Sequence, residues 1–318
     1  MKKQLILLFL LIVAFTTYAQ QSILYSQFMM NDYGLNPAVA GSAKNWVLMV
    51  GRRTQWRGFD YAPETNFASV VKDFGKKGLR RYWHGVGAYV EQDRYGAFTT
   101  KFLYGSYAIH LKLSGKYNMS LGLAAGIKTV QLTNSVYDIN DPAVQGRSVK
   151  VRLYPDLIPG IYIYSRKLSV SVSVRNIYRN KLQQGSKKIG SPTKLPQIAY
   201  IAVSRKIRSS NYDYVFVPGI QIQSTFTSLP IVQFNFMTYY RKRVGLGLTY
   251  RMHDAISAIL QVRIWDNFVV GFAYDYTISK FRNANANSTE IMFGYSPVMG
   301  PEGYKGNANV AKCPNFDY

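Results

Sequence analysis

The side chains that most often carry catalysis are few and far apart in this sequence of 318 residues. The three histidines, His84, His110 and His253, are widely separated, and the single cysteine is Cys313. Metal centres need clustered ligands and disulfide frameworks need paired cysteines, so we expect neither. No GxSxG, P-loop, HExxH or dinucleotide-binding motif is present. The sequence therefore predicts a protein that is not an enzyme and needs no cofactor.

Charge is the next strong feature. The chain has 39 Lys and Arg against 16 Asp and Glu, a formal net charge of +23. A charge of this size often indicates nucleic acid as the partner. Here it accompanies 26 Tyr, 17 Phe and a secretion signal, so we expect no nucleic-acid binding.

The N-terminus has the three parts of a secretory signal peptide. Lys2 and Lys3 precede an unbroken apolar run, Leu5–Phe15, and Thr17-Tyr18-Ala19 is an acceptable cleavage site. A transmembrane helix needs about 20 apolar residues, and this run is shorter. We predict that residues 1–19 are removed on export.

The mature chain alternates apolar residues with small or polar residues. Residues 168–175 alternate Leu and Val with Ser and Arg, and residues 268–277 alternate Phe, Val and Tyr with Gly, Ala, Asp and Thr. Residues 212–223 and 255–264 follow the same period of two. This period is that of β-strands, with one apolar face and one polar or small face.

Fourteen such segments occur, and short turns mostly alternate with longer loops between them. This arrangement, with aromatic residues at many strand ends, is typical of outer-membrane barrels. A soluble β-sandwich or a soluble periplasmic barrel would also alternate, but the polar face here is mainly Gly, Ser, Ala and Thr. We predict an all-β fold, a transmembrane antiparallel β-barrel of about 14 strands over residues 45–296, in the outer membrane of a bacterial cell.

The short turns are rich in positive charge and poor in acidic residues. Bacterial barrels keep short turns and both termini in the periplasm, so these turns are expected there. Anionic lipid head groups and an acidic periplasmic protein are both suitable partners for such turns. The main basic turn residues are Lys76, Lys77, Arg80, Arg81, Arg241, Lys242 and Arg243.

The segment after the signal peptide contains several ordered motifs. They are a YSQ-F-M-N opening, an NPA-x-AGS turn and an RxxQWxG…APxT stretch. Their residues include Tyr25, Gln27, Asn31, Asn36, Pro37, Gly41, Ser42, Arg52, Gln55, Trp56, Gly58, Pro63 and Thr65. In these motifs, and over the whole mature chain, the sequence resembles the PorP/SprF family of the Bacteroidetes type IX secretion and gliding machinery. Val39 departs from the aromatic residue expected in the turn.

The resemblance implies a function that composition does not. It implies a non-catalytic outer-membrane barrel that works with the type IX translocon and with a periplasmic ring lipoprotein and ring protein. Some members of the family are associated with surface attachment of a secreted adhesin. The C-terminal domain of such an adhesin is therefore a further expected partner. The alternative is a general diffusion porin or outer-membrane transporter. Such a channel would have a constriction lined by opposed basic and acidic residues, and a chain with 16 acidic residues can supply few of the acidic ones.

Two segments lie outside the predicted strands. Residues 20–44 are apolar enough to need burial, and we expect them to fold against or into the periplasmic mouth of the barrel and occlude the pore. Three alternatives are open for Arg52, Arg53, Gln55 and Trp56. They line the lumen, they line the first outer loop, or they brace that loop.

Residues 297–318 are predicted to form an irregular periplasmic extension. Three alternatives are open for Cys313 in this extension: part of a docking element, an intermolecular thiol site, or part of a tail packed under the barrel.

Overall fold

A computed structural model describes most of the chain between residues 23 and 296. The described ranges are 23–43, 45–75, 81–96, 98–113, 116–132, 152–182, 193–210, 213–226, 228–241, 243–265, 267–279 and 286–296. The predicted signal peptide and the predicted C-terminal extension with Cys313 lie outside these ranges.

The described chain contains fourteen barrel strands. They are β1 (Val47–Thr54), β2 (Glu64–Phe74), β3 (Tyr82–Tyr95), β4 (Phe98–Lys112), β5 (Asn118–Leu132), β6 (Arg152–Tyr164), β7 (Leu168–Arg175), β8 (Ile198–Arg205), β9 (Tyr214–Ser224), β10 (Ile231–Tyr240), β11 (Val244–Arg251), β12 (Ala255–Ile264), β13 (Phe268–Thr277) and β14 (Ser288–Tyr295). Short two-residue strands at Lys181–Leu182 and Thr193–Lys194 pair with each other, and Ile207–Arg208 pairs with β9.

Each strand pairs antiparallel with its neighbours in sequence, and the sheet closes on itself. The closing contact is between β1 and β14, where Leu48 is opposite Tyr295 and Thr54 is opposite Thr289. Closure leaves no free sheet edge facing lipid, which a bilayer could not hydrogen-bond. The predicted fold class and strand number are confirmed.

The predicted alternation holds along the strands. In β13, Phe272, Tyr274 and Tyr276 are exposed on the outer surface, whereas Ala273 and Asp275 are buried on the inner surface. Apolar side chains therefore face outward and small or polar ones face inward, as expected for a barrel in a membrane. No helix in the described ranges is long and apolar enough to cross a membrane.

The connections differ at the two ends of the barrel. At one end, here called the turn end, strands are joined by short connections such as 165–167 and 241–243. At the other, the loop end, three connections span 55–63, 176–197 and 278–287. Strands β3 to β6, with 13 to 15 residues each, are also longer than the rest.

Residues 23–43 lie inside the barrel against its inner surface. They form a short helix, α1 (Asp32–Leu35), followed by a 3₁₀ turn, Pro37–Val39. Their apolar side chains join the buried residues of the strands in one cluster, which includes Tyr25, Phe28 and Met30. The core of this protein is thus the contact between the N-terminal segment and the barrel wall.

Candidate functional site in the barrel lumen

A buried cluster of charges near the loop end holds the start of the N-terminal segment. Arg53 on β1 pairs with Asp275 at 2.7 Å and with Glu290 at 3.2 Å. Ser26 Oγ donates to Asp275 at 2.7 Å and accepts from Arg53 at 3.1 Å. All four side chains are buried. Burying charges costs free energy unless they are paired, so the ion pairs and Ser26 depend on one another.

The backbone of the segment completes this cluster. Both oxygens of Glu290 accept backbone N–H groups, from Ser26 and from Gln27, each at 3.0 Å. Arg251 donates to Ser26 Oγ at 2.9 Å and pairs with Asp254 at 2.8 Å. The segment therefore supplies hydrogen bonds that the barrel wall by itself lacks.

A second cluster surrounds Glu91 on β3. Tyr25 and Tyr89 both donate hydroxyl hydrogen bonds to this carboxylate, at 2.9 and 2.7 Å. Arg175 pairs with the same carboxylate at 3.5 Å and donates to the backbone carbonyl of Gly34. Tyr104 donates to that carbonyl too, at 3.1 Å. Helix α1 is thus fixed to the wall by a charge and by aromatic hydroxyl groups.

The NPA motif binds where β6 and β7 meet. Asn36 Nδ2 donates to the carbonyls of Ile161 and Val172, at 2.9 and 3.2 Å, and to Ser171 Oγ at 2.8 Å. Its Oδ1 accepts the N–H of Ala38 at 2.9 Å, which caps the 3₁₀ turn. The Asn-Pro pair therefore ends one helix, begins the next turn and attaches both to the wall.

Glycines in the wall make room for this turn. A Cβ atom at Gly122 would overlap the backbone of Ala38, and one at Gly160 would overlap the side chain of Asn36. One at Gly85 would overlap the carbonyl of Ala40. The small residues on the inner face thus accommodate close approach of the segment's backbone.

Gly41 and its neighbours lie against the wall near the turn end of the lumen. Trp83 Nε1 donates to the carbonyl of Gly41 at 3.0 Å, and the ring of His110 lies 2.6 Å from the carbonyl oxygen of Ala40. Trp83 stacks on His110 with ring centroids 5.0 Å apart. Gly41 has φ +79°, a conformation in which a residue with a side chain would be strained. His110 therefore contacts backbone and aromatic groups in a structural role.

The motif residues predicted from sequence divide into two groups. Those in the lumen are Tyr25, Gln27, Asn31, Asn36, Pro37 and Gly41, all buried. Asn31 Nδ2 donates to the hydroxyl of Tyr89 at 3.4 Å. Ser42 is half-buried, and its N–H donates to the carbonyl of Val39 at 3.0 Å.

The second group lies at and beyond the end of β1. Arg52 is exposed on the outer surface and pairs with Glu64 at 2.9 Å. The N–H of Gln55 donates to the carbonyl of Pro63 at 2.9 Å, and the N–H of Trp56 donates to Ser288 Oγ at 3.1 Å. Gly58, in the loop between β1 and β2, has φ +106°. Thr65 is buried and donates to Asp93 at 2.8 Å. These residues order the first loop, and of the adjacent Arg52 and Arg53 it is Arg53 that faces the lumen.

Three of the predicted basic turn residues are described, and they lie at the turn end. Arg81, Arg241 and Arg243 are exposed, and Arg241 pairs with Asp213 at 3.1 Å. Lys76, Lys77, Arg80 and Lys242 lie outside the described ranges.

Sequence reasoning did not assign the charged residues that bind the segment. Glu91, Arg175, Arg251, Asp275 and Glu290 are all buried. The available signal was a charged residue at an inward position of a strand. Arg175, Arg251, Asp275 and Glu290 are each the single charged residue on the inward face of their strand, whereas Glu91 shares its face with Asp93. In the part of the chain described, no three His, Cys, Asp or Glu side chains could together hold a metal ion.

Together these features define an outer-membrane type of β-barrel whose lumen is occupied by its own N-terminal segment. The family described as type IX secretion system membrane protein PorP/SprF matches residues 17–295. The chain belongs to this family, and it is an outer-membrane protein associated with the secretion machinery.

Similar solved structures are also outer-membrane barrels. They include the toluene transporter TbuX of Ralstonia pickettii, with 13% identity, 85% of this chain and 93% of that chain covered, and a TM-score of 0.49. The Acinetobacter baumannii outer membrane protein Omp33 has 9% identity, covers 80% and 99%, and has a TM-score of 0.46. No curated protein matches the chain.

Proposed function

We propose that this barrel is a non-catalytic docking component of the type IX secretion and gliding machinery. It binds periplasmic machinery at its turn end, and its loop end anchors a secreted surface adhesin or helps to export it. The observation that carries this proposal is the occupied lumen together with a strongly basic turn end. A barrel built in this way serves as a scaffold with two exposed ends rather than as an open channel.

Charge at the turn end favours an acidic partner. The connections at this end, 75–81, 113–117, 165–167, 206–213, 241–243 and 265–267, hold twelve Lys or Arg and two Asp. Complementary charge increases association rates and selects partners. With the turn end in the periplasm, the expected partners are the ring lipoprotein, the ring protein and the translocon. Anionic lipid head groups are the competing partners for the same residues.

Residues 20–44 are proposed to keep the pore closed while the barrel performs this role. Segment 23–43 makes buried hydrogen bonds to wall residues on opposite sides of the barrel, Ser173 on β7 and Glu290 on β14. It therefore bridges the lumen between these two strands. This favours the docking role over a general diffusion porin.

The test is an affinity pull-down of the tagged protein from detergent-solubilised outer membrane, with partners identified by mass spectrometry. Arg241→Glu with Arg243→Glu should reduce recovery of periplasmic ring proteins. The matched control, Arg57→Glu with Arg94→Glu, reverses two exposed charges at the loop end and should leave that recovery unchanged. Recovery of one large adhesin instead would restrict the role to cargo anchoring. Recovery of neither, with measurable single-channel conductance, would support the porin alternative.

A further inference from the structure

The outer surface of the barrel has a lysine in contact with two aromatic rings close to the turn end. Lys72 is on the outward face of β2, since Phe67 and Val71 on the other face are buried in the lumen. Its Nζ lies 4.6 Å from the centre of the Trp46 ring and 5.0 Å from the centre of the Phe74 ring. Both rings are exposed. The faces of aromatic rings attract a cation, so these contacts favour a charged Lys72 on a surface that is otherwise apolar.

A histidine in contact with two tyrosines lies on the neighbouring strand. His84 on β3 is directly opposite Phe74, and its ring centroid is 5.9 Å from that of Tyr82 and 5.8 Å from that of Tyr107. The hydroxyl oxygen of Tyr107 lies 2.6 Å from Nδ1 of His84. When this hydroxyl donates to Nδ1, the proton of the neutral ring is on Nε2, from which it can be donated to a ligand.

The lysine and the histidine are close enough to bind one ligand together. Lys72 is directly opposite Val86 on β3, and His84 is two positions before Val86 on the same face. Lys72 and His84 are therefore diagonal neighbours on adjacent strands, a spacing that long side chains can bridge.

Acidic side chains do not balance the charge of Lys72 on this part of the outer surface. On the outward faces of β1 to β5, as far as the structure describes them, the one acidic residue is Glu64, which lies at the loop end and pairs with Arg52. Asp73 is on the opposite face of β2, where its carboxylate accepts the N–H of Asn45. A cation facing lipid is unfavourable without a counter-charge, so an anion from the membrane is the expected partner.

The surface on the loop-end side of the two polar groups is apolar. Leu48 and Val86 are exposed, and Val70, directly opposite Leu48, is half-buried. The outward face of an outer-membrane barrel is covered by acyl chains at this level. A ligand that reaches both the polar groups and this surface therefore has a charged head and an apolar chain.

We propose that Lys72 and His84 form a binding site for an anionic phospholipid of the leaflet at the turn end. The phosphate accepts hydrogen bonds from Nζ of Lys72 and from Nε2 of His84, and an acyl chain packs against Leu48, Val70 and Val86. A lipid with a choline head group binds less well, because its own positive charge lies next to Lys72.

The test is native mass spectrometry of the full protein, delipidated in detergent and titrated with phosphatidylglycerol or with phosphatidylcholine of the same chains. We expect one phosphatidylglycerol to be retained in preference to phosphatidylcholine. Lys72→Met keeps an apolar chain and removes the charge, and it should lower retention of phosphatidylglycerol about fivefold. Lys72→Arg should keep the preference. The matched control is Arg205→Met, which removes an exposed outward cation at the turn end of β8, six strands from β2, and should leave retention unchanged.

A second variant tests the histidine. His84→Phe keeps a ring between the tyrosines and removes the donor, so it should lower retention by a smaller factor than Lys72→Met, because a neutral donor binds phosphate less strongly than a charged one. Each variant should keep the heat-modifiable migration of a folded barrel.

Three outcomes would overturn the proposal. They are equal retention of the two lipids by the unchanged protein, full retention by the folded Lys72→Met variant, and an equal loss in Arg205→Met. Full displacement of the lipid by glycerol phosphate at the lipid's own concentration would also overturn it, because the site would then bind phosphate alone.

Discussion

Ser26 and Asp275 are 249 residues apart in sequence and are joined by a hydrogen bond of 2.7 Å in the lumen. Asp275 also pairs with Arg53 at 2.7 Å, and each of these side chains is buried. The N-terminal segment and the last strands of the barrel therefore meet at one point. Because a buried charge without a partner is costly, the N-terminal segment and the closed barrel stabilise each other.

Adjacent arginines on β1 should differ sharply in their contribution to stability. Arg53→Ala removes the partner of two buried carboxylates, Asp275 and Glu290, and should destabilise the barrel by about 3–5 kcal/mol. Arg52→Ala removes only an exposed pair with Glu64 and should cost at most about 1 kcal/mol. Urea unfolding in detergent micelles measures both. Similar costs for the two variants would show that the lumen cluster is not a structural centre.

The glycines facing the NPA turn should resist enlargement. Gly122→Ala places a methyl group against the backbone of Ala38 and should destabilise the protein by about 1–3 kcal/mol. Gly105→Ala is the control, because a Cβ there meets nothing closer than a carbonyl oxygen at 4.0 Å. The same unfolding measurement compares them. An unaffected Gly122→Ala variant would mean that the turn shifts freely in the lumen.

Removing the N-terminal segment should open a path through the barrel. Deletion of residues 20–44 removes the segment that lies between Ser173 on β7 and Glu290 on β14, so water and ions should reach the inner wall. Ion conductance in planar bilayers should rise relative to the full chain. Unchanged conductance would contradict the proposal that this segment occludes the pore.

Binding at the turn end should depend strongly on salt. Exposed charges are screened within about 8 Å at physiological ionic strength and within about 3 Å at 1 M salt. Recovery of periplasmic partners in the pull-down should therefore fall as the wash is raised from about 0.1 M to about 1 M salt. Recovery that does not change with salt would point to an apolar contact in place of the basic turns.

The sequence by itself determined the wall of the barrel. Alternation in segments such as 168–175 and 268–277 predicted strands with one apolar face, and the spacing of the turns predicted fourteen of them. These features are local, because the period of two and the turn residues act within a few positions of the chain. The motif residues Tyr25 and Asn36 were singled out by resemblance, but their partners were not.

Only the tertiary structure decided which charges meet. Arg53, Arg251, Asp275 and Glu290 lie on four strands, and in sequence each is an isolated charged residue at an inward position. They converge on Ser26 because β1 pairs with β14 and the N-terminal segment runs through the lumen. Closure and register depend on the whole set of strands together, so no local pattern could indicate this meeting point.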